Sequence, residues 1–397
     1  MKSILFVIST MTGGGAERTV STLSKYLSGR MNCSVLLNSR TENDYEFYGK
    51  IICLGMKPKV KKGLIYQLVA AQKRYKKLRT LKRAGDYDVI ISFMESANFL
   101  NILTGRSNCK LILSVRNVIS EEYKGLSKII LLVARLLYHK ADCVVSLSDA
   151  AKRDLINNVK VPKDKCVTIY NGYDISNYYF DQNKGRTKFI TIGRLVHQKG
   201  QWHLIRAFRK VKDLVPEATL KILGQGEYEK YLYELIRYYG LEKSIELVGY
   251  VKNPEEYLKE SDCFVFSSIY EGFGNAIIEA MMNGLPVITT DFSAAREIIA
   301  PELDEKYIIN KAMECSFGIL SPSSSSKIYN VDQEYDHSEL ELANAMVDYA
   351  RGKIGNYYDT NNLERCLARF SIEKAINDWI EMINKDERRN AKNEFKE

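Results

Sequence analysis

The chain has 397 residues, is 45% hydrophobic and 27% charged, and carries a formal net charge of +9 at pH 7; this is a soluble globular composition with length for two or three domains. Its eight cysteines, at 33, 53, 109, 143, 166, 263, 315 and 366, include no close pair, and the nearest of its four histidines, His197 and His203, are six apart, which excludes zinc ribbons, dithiol redox pairs and a histidine metal cluster. Apolar runs fall far short of the ~20 residues of a membrane span, and Met1-Lys2-Ser3 leads straight into a short strand without a secretory leader, so a cytoplasmic protein with reduced thiols is expected.

Lys2 to Ser9 reads as a strand, and the glycine loop Thr12-Gly13-Gly14-Gly15 turns into a helix bearing Val20, Leu23 and Leu27. A dinucleotide-binding unit would look similar. Arg18 stands where its third glycine belongs, however, and the run Val35 to Arg40 lacks the acid that would hold a ribose, so a nicotinamide cofactor is not expected. The stretch Lys57 to Arg83 then holds eleven Lys or Arg and no acid. Leu64, Leu68, Ala71, Tyr75 and Leu78 fall on one side of a helix there, and Lys73, Arg74, Lys76, Lys77 and Arg79 crowd the rest. Such a helix suits an anionic membrane surface or a lipid-linked pyrophosphate, or else it packs by its apolar stripe under a solvated basic face. Nucleic acid is not expected, since no recognition motif or aromatic ladder accompanies the charge.

Asp88 to Phe93, Lys110 to Val115, Asp142 to Leu147 and Lys165 to Tyr170 are short apolar runs separated by helical ones, with Ile129 to Tyr138 reading as a buried helix. This alternation implies a parallel sheet covered on both faces, whose ligands bind at the strands' carboxyl ends. The run tails are therefore candidate contacts: Met94 to Asn98 with Glu95, Arg116-Asn117, and Ser148-Asp149, the last two resembling helix caps. Asn171 to Asp174 is a turn, a linker is expected over 173–186, and the pattern restarts at Lys188.

The second half repeats the strand and helix alternation. Gly193 to Gly200 joins a strand to a helix and holds Arg194 and Lys199, placed to neutralise a pyrophosphate, Arg by its planar fork and Lys as a point charge. Further strands end at Leu223, at Gly249 ahead of Tyr250 and Val251, and at Phe266. Ser267 to Thr290 then reads as a glycine loop, Glu271-Gly272-Phe273-Gly274-Asn275, a helix carrying Glu279, and another strand. The opening of that helix presents free N–H groups and a positive dipole end, where phosphate is stabilised. Eight helical residues span ~12 Å, so Glu271 and Glu279 cannot act on one bond but can touch two ends of a long ligand. Residues 321–326 read as a flexible serine loop, Leu340 to Tyr349 as a surface helix, Ser371 to Ile383 as an amphipathic terminal helix, and the tail from Lys385 as charged and frayed.

The arrangement Glu271, seven residues, Glu279, with Gly272-Phe273-Gly274 between and Gly-Leu-Pro-Val after, resembles the donor-site motif of the retaining GT-B glycosyltransferases of family four, the group 1 enzymes of bacterial surface polysaccharide synthesis. The resemblance covers nearly the whole chain and is strongest from Ile190 to Thr290. It implies an α/β fold of two doubly wound Rossmann-like domains facing across a cleft. The acceptor would lie on 1–172 and the nucleotide-sugar donor on 187–370, with the helix from 371 crossing back to the first domain. It implies that Glu271 lies by the donor sugar, that the backbone amides of the loop Gly272, Phe273, Gly274 and Asn275 meet sugar hydroxyls and phosphate, and that Glu279 bonds the ribose. Arg194 and Lys199 would hold the diphosphate, and Tyr250 and Val251 would lie against the base. Gly14, Gly15 and Glu17 would face donor phosphates and acceptor. Many members carry a histidine that contacts the donor sugar where this chain has Ser114-Val115-Arg116-Asn117, so either Arg116 or Asn117 makes that contact or nothing does. At Asp291 to Glu297 many relatives have glycines.

The resulting expectation is transfer of a hexose or N-acetylhexosamine from a UDP-sugar, with retention and without a metal or other cofactor, to a lipid-linked saccharide. The enzyme would be peripheral on the inner face of the plasma membrane through Lys57 to Arg83. The alternatives are a GT-B sugar-nucleotide epimerase, whose hydrolytic chemistry would want carboxylates and histidines in one cleft, and a non-catalytic membrane scaffold, which would have no use for Arg194, Lys199 and Glu271 together.

Overall fold

The computed structural model describes residues 1–57, 63–105, 108–176, 178–180, 185–328, 332–355 and 359–385. These form two compact units, Met1–Gly172 joined by the chain from Ile372, and Tyr173–Ser371. Residues 58–62 of the basic stretch, 181–184 of the expected linker and the charged tail from 386 lie outside the described residues.

The first unit runs β1 (Ser3–Val7), α1 (Gly15–Leu27), β2 (Asn32–Leu37), β3 (Lys50–Cys53), α2 (Leu64–Ala84), β4 (Val89–Phe93), α3 (Glu95–Leu103), β5 (Lys110–Val115), α4 (Ile119–Glu122), α5 (Lys128–Leu137), β6 (Cys143–Ser146), α6 (Asp149–Asn157) and β7 (Cys166–Thr168). Its strands lie in the order β3-β2-β1-β4-β5-β6-β7, all parallel. Successive side chains point to opposite faces. Ile4, Phe6, Val35, Ile91 and Phe93 meet Val20 and Leu23 of α1, while Leu5, Val7, Leu36, Ile90 and Leu111 meet Leu78 of α2 and Ala97 of α3. A sheet buried on both faces needs the near-continuous apolar runs seen in the sequence.

The second unit runs β8 (Lys188–Ile192), α7 (Gln201–Leu214), β9 (Thr219–Leu223), α8 (Glu229–Tyr238), β10 (Ile245–Gly249), α9 (Glu255–Glu260), β11 (Cys263–Phe266), α10 (Asn275–Met282), β12 (Val287–Thr290), α11 (Ala295–Ile299), β13 (Met313–Glu314), β14 (Ile319–Ser321), α12 (His337–Ala350) and α13 (Thr360–Ala368). Its sheet order is β10-β9-β8-β11-β12-β14-β13, parallel except for the edge strand β13. Both units are thus Rossmann-like, with strand order reversing beside the first strand of each, between β1 and β4 and between β8 and β11. The terminal helix α14 (Ile372–Asn384) returns to the first unit, where Ile376, Trp379 and Ile383 are buried and the Trp379 ring lies 6.2 Å from that of Phe93. Each such side chain contributes roughly 1.5–3 kcal/mol by leaving water.

Four expectations are corrected. The helix read as buried, α5, covers the sheet with only one side: Ala134 and Leu137 are buried, but Ile129, Leu132 and Leu136 are 53–68% exposed. Helix α12 is no surface helix, since Leu342, Ala343, Met346 and Val347 belong to the second core. The inward stripe of α2 is Ala70, Arg74, Leu78 and Lys82, so Arg74 and Lys82 leave the basic face and Leu68 joins the surface. The serine loop is pinned: His203 Nε2 lies 2.9 Å from the Ser325 carbonyl, His197 Nε2 2.8 Å from that of Ser326, and Trp202 Nε1 donates to that of Lys327 at 3.3 Å.

Candidate active site

In the second unit the carboxyl ends of β8 and β11 meet at the switch point, where ligands of such sheets bind. Gly200 is left-handed (φ 58°), and a Cβ there would stand 2.5 Å from the Ser267 carbonyl oxygen. The two loops can therefore touch: Ser267 Oγ donates to the Lys199 carbonyl at 3.1 Å and Ile269 N to that of Gln198 at 2.9 Å. This seam brings Lys199 Nζ within 2.5 Å of Glu271 Oε1, across 72 residues of chain. Glu271 also accepts from Ser268 Oγ at 2.8 Å and from Gln198 Nε2 at 3.3 Å, and Lys199 Nζ sits 5.0 Å from the Phe266 ring centroid. At 15% and 11% side-chain exposure the pair is largely desolvated yet still reachable.

Arg194 lies on the same β8 loop. Its carbonyl is held by Gln201 Nε2 at 3.0 Å, while its exposed guanidinium makes no side-chain hydrogen bond or ion pair among the described residues. Opposite, α10 opens directly from Gly274 (φ 107°), with Gly272 buried ahead of it. The Phe273 ring is 1% exposed and packs edge-on to Phe370 at 5.2 Å. The ring anchors the loop in the core and leaves its backbone amide for the ligand contact expected of it. Asn275 Oδ1 accepts from Tyr173 Oη at 2.8 Å, and Glu279 is half-buried two turns along. Tyr250, 69% exposed, and half-buried Val251 follow the edge strand β10. Asp291 is clamped by Arg296 at 2.9 and 2.6 Å, and Arg296 also holds the Asp304 and Tyr307 carbonyls. This acid is occupied by a loop tie.

In the first unit Gly14 caps α1 in extended backbone, Gly15 is exposed, and the Glu17 carboxylate folds back against Gly14, where an added Cβ would meet its Oε2 at 2.1 Å. Glu95 opens α3 after Met94, a non-glycine residue at φ 71°. Its carboxyl is 5% exposed and accepts from Tyr123 Oη at 3.1 Å through Oε2, while Oε1 has no hydrogen-bond partner among the described residues. Burial pushes its pKa up against the opposing Tyr123 hydrogen bond. The side chain of Asn117 also reaches the Tyr123 hydroxyl. Arg116 is drawn to α1, donating from Nη2 to Thr19 Oγ1 at 2.9 Å and to Asn171 Oδ1. Ser148 caps α6 by accepting from Ala151 N at 3.1 Å.

Two groups escaped sequence reasoning. Arg74, buried at the first unit's switch point, donates to Asn38 Oδ1 at 3.1 Å, Ser9 Oγ at 2.9 Å and Ser96 Oγ at 3.4 Å. Burial pushes its pKa down to about 10, so it remains a cation at neutral pH. In the second unit, fully buried Glu339 accepts at Oε1 from Arg206 Nε at 2.8 Å and faces His203 Nδ1 at 2.7 Å, while Oε2 caps Asp336 N at 3.0 Å. The capping-box spacing Asp336-x-x-Glu339 was the available signal for the latter; Arg74 offered none. Among the described residues no group of three or more His, Cys, Asp or Glu side chains could hold a metal ion.

Two family models cover most of the chain: Glycosyltransferase Family 4 over residues 13–177 and Glycosyl transferases group 1 over 179–313. An uncharacterized glycosyltransferase of Methanocaldococcus jannaschii is 36% identical over 350 residues, 82% of this chain and 86% of that protein. The chain belongs to the group 1 glycosyltransferases of family 4. This family 4 chain is also 28% identical to the N-acetylgalactosamine-N,N'-diacetylbacillosaminyl-diphospho-undecaprenol 4-alpha-N-acetylgalactosaminyltransferase of Campylobacter jejuni, over 76% of this chain and 84% of that one. Its fold matches solved GT-B structures. Anabaena HepE in complex with UDP and glucose gives a TM-score of 0.74 at 21% identity, covering 96% of this chain and 99% of that one, and a Thermosynechococcus elongatus sucrose-phosphate synthase gives 0.74 at 18%, covering 96% and 98%.

Proposed function

We propose that this glycosyltransferase moves a hexose or N-acetylhexosamine from a UDP-sugar to a lipid-linked saccharide of surface polysaccharide synthesis, retaining the anomeric configuration and needing no metal. The observation that carries the reading is the Lys199–Glu271 pair, which ties the β8 loop bearing the exposed Arg194 to the loop that opens α10. Cations and a helix N-terminus facing one point stabilise a departing diphosphate. The relatives support the substrate classes: the Campylobacter enzyme acts on a diphospho-undecaprenol saccharide, an Escherichia coli relative is a UDP-Gal:alpha-D-GlcNAc-diphosphoundecaprenol galactosyltransferase, and HepE holds UDP and glucose.

In this mechanism the bond between the anomeric carbon and the phosphate oxygen breaks, its electron pair going to the diphosphate, which Lys199, Arg194 and the α10 amides neutralise. The acceptor hydroxyl oxygen bonds to the anomeric carbon from the same face and its proton passes to the departing phosphate oxygen. Glu271 lies against the donor sugar as positive charge develops there, and Glu279 takes the ribose hydroxyls. Tyr250 and Val251 border the base. Gly14, Gly15, Glu17, Glu95 and Asn117 serve the acceptor side, and Arg116, bound to Thr19 and Asn171, orients α1. The enzyme works at the cytoplasmic leaflet, held to anionic lipid by exposed Lys73, Lys76, Lys77, Arg79 and Arg83 of α2.

The test is UDP release from a panel of UDP-sugars with and without membrane lipid extract, in wild type, Glu271→Ala and Lys199→Ala. One sugar and the extract should both be needed, both variants should lose ~10²–10³-fold, and EDTA should change nothing. Undiminished turnover in either variant, or its abolition by EDTA, overturns the corresponding part.

A further inference from the structure

Helices α2, α3 and α5 lie side by side over one face of the first unit's sheet, α3 touching both neighbours. The outer surface of this layer is unusual in two ways. Ile129 (64%), Leu132 (53%) and Leu136 (68%) of α5 are exposed in one row, with Leu103 (54%) at the end of α3 and Ile65 (80%) and Leu68 (62%) at the start of α2. Neither α2 nor α5 contains an acidic residue, whereas Lys124, Lys128, Arg135 and Lys140 stand exposed around the α5 row and five exposed cations follow along α2.

Spacing at i, i+3 and i+7 puts the three α5 side chains within one narrow arc, while Ala134 and Leu137 anchor the opposite side in the core. A helix with one apolar ridge edged by cations and free of acids has the form that lies in a bilayer interface. Charge decides between occupants. A second copy of this chain would bring nine like charges against nine, whereas an anionic lipid surface attracts all of them and accepts the apolar row.

We propose that Ile129, Leu132 and Leu136 of α5 insert into the headgroup boundary of an anionic bilayer, giving a salt-resistant anchor beside the electrostatic one on α2. The proposal rests on the membrane part of the proposed function and assigns the inserting element, which the sequence pattern had placed in the core. Because the row is exposed, replacing it leaves the fold and the Lys199 site intact.

The experiment is co-sedimentation of the full chain with vesicles of phosphatidylcholine containing 30% phosphatidylglycerol, at low salt and at 0.5 M NaCl. It compares wild type, the triple variant Ile129→Ser/Leu132→Ser/Leu136→Ser, and the charge variant Lys73→Gln/Lys76→Gln/Lys77→Gln. Wild type should retain binding at high salt. The triple variant should lose it and bind at least tenfold more weakly at low salt, with UDP release from detergent-dispersed lipid extract unchanged. The charge variant should weaken at low salt but keep the salt-resistant fraction. The indole introduced by Leu132→Trp should be quenched by brominated phosphatidylglycerol. Partitioning of the triple variant within twofold of wild type, absence of that quenching in the Leu132→Trp variant, or a wild-type dimer that the triple variant abolishes would each overturn the assignment. UDP release with the donor sugar and detergent-dispersed lipid extract, read on the same protein preparations, reports separately on the transferase.

Discussion

Glu339→Ala tests whether the buried cluster, rather than the apolar core alone, holds the second unit together. The carboxylate is wholly buried, and its loss leaves the Arg206 guanidinium and the His203 ring without their shared acceptor and α12 without half of its capping box. Removing one partner of a buried ion pair costs ~3–5 kcal/mol, and a lost cap adds about 1. Arg206 keeps its bonds to the Gln333 and Glu334 carbonyls and the Tyr239 hydroxyl, which places the sum near the lower end, about 4 kcal/mol. For a unit of this size each kcal/mol lowers Tm by roughly 2–4 °C, so a drop of about 8–16 °C is expected. The two tryptophans make the assay specific: Trp202 is buried in the second unit and Trp379 in the first. Thermal unfolding followed by Trp202 fluorescence in a Trp379→Phe background reads the second unit. Glu339→Gln, which keeps the acceptor oxygen, should lose about half as much. A Glu339→Ala melt within 2 °C of its parent would refute the argument and make the cluster energetically idle.

Three further outcomes follow from the same geometry. Arg194→Lys keeps the charge but loses the planar fork, so kcat/KM for the UDP-sugar should fall about tenfold; steady-state kinetics showing no change would remove Arg194 from the diphosphate. Gly200→Ala forces a side chain into left-handed backbone 2.5 Å from the Ser267 carbonyl, and should cost ~2 kcal/mol or more in urea unfolding while parting Lys199 from Glu271. Glu95 binds its proton more tightly folded than unfolded, so its contribution to stability is present below the ordinary glutamate range and is lost as pH rises through the raised folded pKa. Glu95→Gln should therefore raise the first unit's Tm at pH 7 and flatten its acid-side dependence, while lowering turnover; a lower Tm at pH 7 would contradict the burial argument.

Much of this protein was legible in one dimension. Short apolar runs alternating with helical ones are what a parallel sheet covered on both faces demands, so the two Rossmann-like units were readable from β1 to β12. The glycine at 200 marks where backbone must approach backbone, and the glycine loops after β8 and ahead of α10 pointed to Lys199 and Glu271. The short strand β3 went unread because none of its four side chains is buried, only Ile51 and Ile52 being half-covered, so it carries little pattern.

What tertiary structure alone decided is which side of each helix faces inward. A nearly continuous apolar helix such as α5 has no pattern to separate its covered face from its open one, so only its seat on the sheet exposed Ile129, Leu132 and Leu136. In α2 the rotation is set by polar partners from other elements: Ser9, Asn38 and Ser96 offer three acceptors to one guanidinium, and Arg74 therefore turns inward while Leu68 turns out. The meeting of His203, Arg206 and Glu339 spans more than 130 residues. Composition and local periodicity carry the choice of secondary structure, but the partner of a buried charge is fixed by which distant segments the fold brings together.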